Sequence, residues 1–359
     1  MKGRDPLRVG LVIGQLTRGG AEGQVAQLAV RLDRARFEPR VYVLSQAVSP
    51  WGEWLQTRGV QVTVVDAHAG VRGWQLARAV RRDEIRLLHS WLYLANPFAA
   101  IAAIACRIPL IASARNCKVQ GLLSRWGNAV AFRVAGGIVA NSHDVARYIE
   151  REYRAPVVRV RVIPNGIDTK KFYPPAARSL ESPLIVTAGR LVEQKNHALF
   201  LEAAAMVRRH RPNARFAIAG EGPLRATLER LAVELGIEGA VQLLGERGDV
   251  DELFRQAHVF WLTSRWEGMP NVVLEAMASA LPVIVTDVEG CREILADSAA
   301  GIVVPPGDAE AFSRHTLRLL SSPEEYRRAA HAARERAEQF SIENMVARME
   351  ELYDEVSGR

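Results

Sequence analysis

Short β-branched runs alternate with longer helical patterns through both halves of the chain, the signature of parallel α/β sheets. In the first half the strand pattern falls at 7–13, 39–44, 60–65, 87–91, 110–114, 137–140 and 158–163. The apolar spacing predicts helices between these runs, for example over 21–32, 76–84, 97–106 and 144–153. Then the pattern breaks. Asn165-Gly166 and the stretch 170–183, with three prolines and few core residues, read as a linker. Strands resume at 184–189 and continue at 216–219, 241–244, 259–263, 283–286 and 301–304, and 323–356 reads as helix throughout. The expected fold class is therefore α/β, with two Rossmann-like doubly wound domains facing each other across a cleft. Ligands of such sheets sit beyond the carboxyl ends of the strands.

Length agrees with this division, because 359 residues exceed what one compact core usually holds. The expected domains are 1–169 and 184–340, with 341–359 as a C-terminal helix packing back toward the first. Three scattered cysteines, without a CxxC or a Cys/His cluster, point away from a disulfide framework or a zinc site and toward a reducing, cytoplasmic compartment. The apolar segment 9–13 is too short for a signal peptide, and the longest apolar run, 95–114, is interrupted by Pro97, Arg107 and Pro109. No membrane span is expected.

Net charge is +7 but uneven: residues 1–170 carry +13 and residues 171–359 carry −6. Five of the seven tryptophans also lie in the basic half, a combination that suits an anionic membrane surface or a lipid-phosphate acceptor. Nucleic acid is not expected as a partner, since no binding module or basic run of five residues is present.

Candidate chemistry falls at the strand ends. Gly19 and Gly20, in the loop 14–22 after the first strand, would let backbone amides approach a phosphate, although the loop does not match G-x-G-x-x-G. Arg190 and Lys195, five positions apart on a later strand-end loop, can converge on a diphosphate as a fork and a point charge. Gly220 and Gly222 suggest a tight turn under a ligand. Asp249-Val250-Asp251-Glu252 contains an Asp-x-Asp, but its position at a helix start reads as a capping box, and no metal is expected. His89 ends the fourth strand and is expected to face the cleft. His143 follows another strand-to-helix junction.

The most informative segment is Glu267-Gly268-Met269-Pro270-Asn271-Val272-Val273-Leu274-Glu275. A helix is expected to begin near Pro270, with Glu267 in the loop before it and Glu275 inside it. Glu275 is the only charged residue between Val272 and Val285. A carboxylate on a helix that is apolar nearly all round needs a polar partner.

In their order along the chain these motifs resemble the family-4 glycosyltransferases, retaining enzymes of the GT-B fold. The resemblance also takes in Gly19-Gly20-Ala21-Glu22, the segment 162–168 and Ala276-Met277-Ala278. It implies that Arg190 and Lys195 neutralise the donor diphosphate, Glu275 binds the ribose hydroxyls and Glu267 those of the transferred sugar. The amides of Gly268, Met269, Asn271 and Val272 would hold the sugar and phosphate, while 220–223 and 244–247, including Gly245, would flank the base. The implied activity is retaining transfer from a nucleotide diphosphate sugar to a hydroxyl acceptor, without cofactor or metal; the basic, Trp-bearing half suggests that this acceptor is a lipid-linked or cell-envelope glycan, met by a cytoplasmic protein peripheral to the inner membrane face. Many relatives carry a histidine after the fifth strand, where this chain has Ser113-Ala114-Arg115-Asn116. Arg115, Asn116 and His89 are accordingly the acceptor-side candidates. Two alternatives fit the same fold: an epimerase or hydrolase of the nucleotide sugar, and a non-catalytic partner subunit.

Overall fold

A computed structural model of the chain describes residues 5–117, 121–296 and 299–359. The chain forms two compact units, one of residues 1–166 and 342–359 and the other of residues 167–341. Each is a doubly wound α/β sheet.

The first unit has seven parallel strands: β1 (Leu7–Ile13), β2 (Phe37–Val43), β3 (Gln61–Val64), β4 (Leu87–Ser90), β5 (Leu110–Ala114), β6 (Gly137–Ala140) and β7 (Val160–Val162). Their order is β3-β2-β1-β4-β5-β6-β7, so the winding reverses between β1 and β4. Alternate residues of β1 enter different cores. Val9, Leu11 and Ile13 pack on one face with Trp91, Met349 and Tyr353, while Val12 packs on the other with Tyr42 and Leu88. Burial on both faces explains why these strands read as continuous apolar runs. The second unit has six parallel strands, β8 (Leu184–Ala188), β9 (Arg215–Ala219), β10 (Val241–Gly245), β11 (Val259–Leu262), β12 (Val283–Thr286) and β13 (Gly301–Val304). The order β10-β9-β8-β11-β12-β13 is that of doubly wound nucleotide-binding sheets, with its reversal between β8 and β11.

Three expectations change. The helix read over 97–106 begins five residues earlier, at Leu92, and carries Pro97 inside it. Proline there removes the amide that would reach the Tyr93 carbonyl. Asn128 supplies the missing donor, its Nδ2 lying 3.0 Å from the Tyr93 oxygen.

The continuous helix read over 323–356 is two helices, Pro323–Glu338 and Ile342–Ser357. Their apolar stripes serve different cores. Ala333 and Ala337 pack in the second unit, whereas Ile342, Met345, Val346, Met349, Leu352 and Tyr353 pack against the first sheet. The backbone opens between them, where Phe340 O accepts the Ile167 amide at 2.8 Å and Ser341 bridges Ile167.

The stretch 170–183, read as a linker, is packed as part of the second unit. Phe172 is buried in its core, and Arg178 donates to the Ser279 and Ala280 carbonyls at 2.6 and 2.8 Å.

Candidate active site

The reversal of strand order in the second sheet brings the loop after β8 beside the loop after β11. The first carries Arg190 and Lys195, and the second carries Glu267. Lys195 Nζ lies 2.6 Å from Glu267 Oε1, and the Ser264 hydroxyl donates to the same oxygen at 2.7 Å. Glu267 is only 9% exposed, so its charge depends on these partners. The other oxygen, Oε2, accepts no hydrogen bond from any described residue.

Neutral bonds hold the pair in register. Thr263 Oγ1 donates to the Lys195 carbonyl at 3.0 Å, Gln194 Nε2 to the Trp266 carbonyl at 3.0 Å, and Thr286 Oγ1 to the Ser264 carbonyl at 2.6 Å. Arg190 is exposed, and its guanidinium has no partner among the described residues. Its carbonyl is tied to His197 Nε2 at 3.2 Å. Burial lowers the His197 pKa to about 4, which keeps the ring neutral and its Nε2 able to donate to that carbonyl.

The helix Asn271–Ala278 begins directly after Pro270. Val273, Leu274, Ala276, Met277 and Ala278 are buried, leaving Asn271, Val272 and Glu275 on its more open face. Glu275 is half-buried, and its carboxylate has no hydrogen bond or ion pair among the described residues. Burial raises its pKa to about 7, against the attraction of Lys171; the charge of Asp251 adds to the rise.

Gly268 and Met269 are buried in the approach to this helix. Gly290 follows β12 with φ 76°, and a Cβ there would stand 2.0 Å from the Gly268 oxygen. Only glycine lets that backbone pass so closely. Burial also pushes the Cys291 thiol up, with the nearby Glu267 carboxylate adding to the rise.

The expected base-flanking glycines are also brought together. Gly220 N donates to Gly245 O at 2.8 Å, and a Cβ on Gly220 would lie 2.0 Å from Gly189 O. Gly222 passes the Leu191 backbone as closely as a side chain would forbid. The loops after β9 and β10 thus pack backbone to backbone beside the Arg190 loop.

Asp249 does stand at a helix start, but its side chain caps nothing. Arg247 holds it by a fork of 2.9 and 2.6 Å, and Asp251 pairs with Arg255 and Lys171 at 3.3 and 3.6 Å. Arg247, two residues before Asp249, outcompeted the cap. Among the described residues no group of three or more His, Cys, Asp or Glu side chains could hold a metal ion.

One first-unit expectation is overturned. His89 does not face open space: it is fully buried, with Nδ1 2.7 Å from Tyr353 Oη and Nε2 2.7 Å from Ser113 Oγ. Burial, with Arg115 adding, holds its pKa well below 6.5. The helix Ile342–Ser357, remote in sequence, supplied the cover. At Gly19 and Gly20 the loop takes up a carboxylate of its own chain. Glu22 is 7% exposed, and a Cβ on Gly19 would meet its Oε2 at 2.2 Å. Gln15 Nε2 binds the same carboxylate at 3.1 Å.

Arg115 is buried at the end of β5, stacked 3.6 Å above the Trp91 ring and bonded through Nη1 to Asn165 Oδ1 at 2.6 Å. Asn116 is half-buried, and its carbonyl accepts the Tyr93 hydroxyl at 2.8 Å. His143 opens the helix His143–Tyr153, which Ser142 caps. Sequence reasoning missed Ser264, Gly290 and Lys171, and gave Asn165 no role beyond its place in the segment 162–168. Only Ser264, three residues before Glu267, carried a local signal.

Two doubly wound sheets, one with paired charges at its reversal point, define a two-unit α/β protein with a charged site at a strand-end crevice. Family models agree along nearly the whole chain: "Glycosyltransferase Family 4" matches residues 18–171 and "Glycosyl transferases group 1" matches residues 168–336. The chain belongs to this family of glycosyltransferases.

It is 30% identical over 269 residues to the GDP-mannose-dependent alpha-(1-6)-phosphatidylinositol monomannoside mannosyltransferase of Mycolicibacterium smegmatis, covering 67% of this chain and 68% of that protein. It is 23% identical over 299 residues to the UDP-Gal:alpha-D-GlcNAc-diphosphoundecaprenol alpha-1,3-galactosyltransferase of Escherichia coli, covering 77% of each. The match to EpsD of Bacillus subtilis is 35% identical over 170 residues, spanning 47% of this chain and less than half of that protein. Among solved structures, Anabaena Alr3699/HepE in complex with UDP-glucose superposes with a TM-score of 0.86 at 19% identity, over 97% of this chain and 100% of that one. That likeness is one of fold. No helix among the described residues is long and apolar enough to cross a membrane.

Proposed function

We propose that the protein transfers a sugar, with retention at the anomeric carbon, from a nucleotide diphosphate sugar to a hydroxyl of a lipid-linked or cell-envelope glycan. The carrying observation is Glu267, whose Oε1 is held by Lys195 and Ser264 while Oε2 is left to accept a hydroxyl. Glu275 offers a second carboxylate, itself unpaired among the described residues, on the more open face of the adjacent helix. Two acceptors spaced along a strand-end surface, with Arg190 and Lys195 beside them, suit a ligand that has hydroxyls at both ends and a diphosphate between. The named relatives use GDP-mannose and UDP-Gal, and the solved neighbour binds UDP-glucose, which supports a donor of this class.

In the reaction the bond from the anomeric carbon to the diphosphate oxygen breaks, and its electron pair leaves with the diphosphate. The acceptor oxygen bonds to the same face of that carbon, and its proton passes to the departing phosphate oxygen. Arg190, Lys195 and the amino end of the helix Asn271–Ala278 stabilise the developing charge, a role fixed positive groups fill without a metal. Charge-assisted bonds from Glu267 and Glu275 to hydroxyls contribute about 1.5–3 kcal/mol each.

The test is a thermal-shift screen over UDP-, GDP- and ADP-sugars, followed by NMR of the product. One nucleotide series is expected to raise the melting temperature, and Glu275→Ala to abolish that rise. An inverted anomeric centre would reject the retaining mechanism. Turnover of the sugar nucleotide without any acceptor would assign an epimerase or hydrolase instead.

The first unit supports a peripheral position on an anionic, cytoplasmic membrane face. Its helix Leu122–Val134 exposes Leu122, Leu123, Trp126, Val130 and Val134, with Arg125 and Arg133 on the same element. Apolar and aromatic side chains flanked by arginines suit a lipid headgroup region.

A further inference from the structure

Arg115 presents an unusual balance of burial and pairing. The side chain is 6% exposed, yet no carboxylate among the described residues pairs with it. Its Nη1 is satisfied by Asn165, and one face of the guanidinium lies on Trp91. Nε and Nη2 are buried with no hydrogen-bond partner.

Those two nitrogens form one edge of the guanidinium. Elsewhere in this protein the same edge binds carboxylates by a fork: Arg82 holds Asp83 at 2.8 and 3.2 Å, and Arg247 holds Asp249 at 2.9 and 2.6 Å. A fork of parallel N–H groups matches the oxygens of a carboxylate or phosphate. Leaving it unpaired in the interior is costly, because burial removes water without supplying a counter-charge.

The surroundings point the same way. Trp91, Arg115, Asn141 and Asn165 follow β4, β5, β6 and β7, so they gather at the carboxyl edge of the first sheet, where ligands of such sheets bind. Asn141 donates to the Arg115 carbonyl at 3.3 Å, while its own Oδ1 is buried without a partner. Trp91 Nε1 is also unpaired. An anion would satisfy the fork, and a hydroxyl group would satisfy the Asn141 oxygen.

We propose that the Nε–Nη2 edge of Arg115 receives a phosphate group, so that the first unit carries a phosphate-binding site of its own. Asn165 holds the guanidinium in place and Trp91 supports its face. The phosphate can belong to a lipid-linked acceptor or to the donor. Only that choice of owner rests on the functional reading above.

The test uses the full chain and isothermal titration with inorganic phosphate, farnesyl phosphate, farnesol and the nucleotide diphosphate found in the donor screen. Arg115→Gln removes the charge, and Arg115→Lys keeps the charge but not the fork. Asn165→Ala releases the anchor, and melting curves confirm that each variant folds. Lys195→Gln removes the cation at the second sheet, separating phosphate bound there.

Farnesyl phosphate is expected to bind the wild type and Lys195→Gln alike, and Arg115→Gln about tenfold or more weaker, the loss of one charge-assisted fork. Arg115→Lys should fall between, and farnesol should show no dependence on residue 115. A loss confined to the nucleotide diphosphate would support the phosphate site and assign it to the donor. Phosphate, farnesyl phosphate and nucleotide binding all unchanged in Arg115→Gln and Arg115→Lys would overturn the proposal. A donor screen with no hit leaves the inorganic-phosphate titration readable, so the two readings fail separately.

Discussion

The carboxyl edge of the second sheet is built from opposite charges that pair across two loops. At the edge of the first sheet Arg115 is held by neutral polar groups and has no carboxylate partner among the described residues, while Glu22 lies beside Gly19. Both sheets are doubly wound and reverse direction beside their first strand, so the topology is not the cause of the difference. Loop content is. At the second edge Lys195, Glu267 and Ser264 satisfy one another and leave single oxygens and an exposed Arg190 for a ligand. At the first edge Ser90, Asn96 and Asn128 form a buried chain of bonds at 2.6 and 2.9 Å, and His89 is enclosed between two hydroxyls. One edge holds its charges ready by pairing them. The other holds its shape with neutral bonds and leaves a single arginine unsatisfied.

Breaking the charge pair should have the largest effect. Lys195→Met leaves Glu267 buried with only Ser264, so stability is expected to fall by about 3–5 kcal/mol. Turnover should fall on the order of 100-fold or more, since a cation at the leaving diphosphate is lost. Urea melts and steady-state kinetics measure the two separately. The double change Lys195→Met with Glu267→Leu should regain stability but not turnover. If both returned together, the pair would be structural rather than catalytic.

Glu275 gives a smaller effect with a definite pH sign. Its folded pKa is about 7 and its ordinary value 4.5, so the folded protein without donor holds a proton that the unfolded chain releases. Its contribution is therefore full below pH 4.5 and is lost as pH rises through 7, by at most ~3 kcal/mol. Glu275→Gln should flatten that slope in melting curves taken from pH 5 to 8. Donor affinity should run the other way, rising through pH 7 as the carboxylate ionises and accepts the hydroxyls more strongly. A slope unchanged in Glu275→Gln would place the titrating group elsewhere.

The first edge should respond differently. His89→Leu strands the Ser113 and Tyr353 hydroxyls in the interior, at a cost of about 1–3 kcal/mol for each left unsatisfied. The turnover of folded protein should stay within twofold. A drop of 100-fold with stability intact would return His89 to a catalytic role. The smallest stability effect belongs to the exposed helix: Leu123→Ala with Trp126→Ala should change the melt by less than about 0.5 kcal/mol. It should nonetheless reduce flotation with anionic vesicles at low salt, and high salt should weaken wild-type flotation as well. Wild-type protein that ignores such vesicles would indicate a soluble acceptor.

Much of the fold is legible in the chain because buried parallel strands are short, β-branched and regularly spaced. The runs 110–114, 137–140, 283–286 and 301–304 coincide with β5, β6, β12 and β13. Helix limits were less legible. The start at Leu92 was hidden by Pro97, whose unmet partner is satisfied by Asn128, thirty-five residues beyond Tyr93. The break near Phe340 was hidden because residues on both sides favour helix. Their apolar stripes are simply owned by different cores.

Within the candidate site, Glu267, Glu275, Arg190 and Lys195 stood out by residue type and by position at strand ends. That Lys195 and Glu267 touch did not stand out, nor that Glu22 covers Gly19. Such pairings depend on which loops become neighbours.

By itself the sequence determined two parallel α/β sheets, the carboxyl-edge location of the charged and glycine-rich loops, and the likeness to a sugar-transferring family. Periodicity and turn chemistry are local, and they survive without knowledge of partners. Only the tertiary structure decided which carboxylate would be paired, which histidine enclosed and which arginine left with an unsatisfied edge. Strand order joins loops about seventy residues apart, as at Lys195 and Glu267, and the returning C-terminal helix brings Tyr353 onto His89, more than two hundred and sixty residues away. Burial then assigns each polar atom a cost that no local pattern contains.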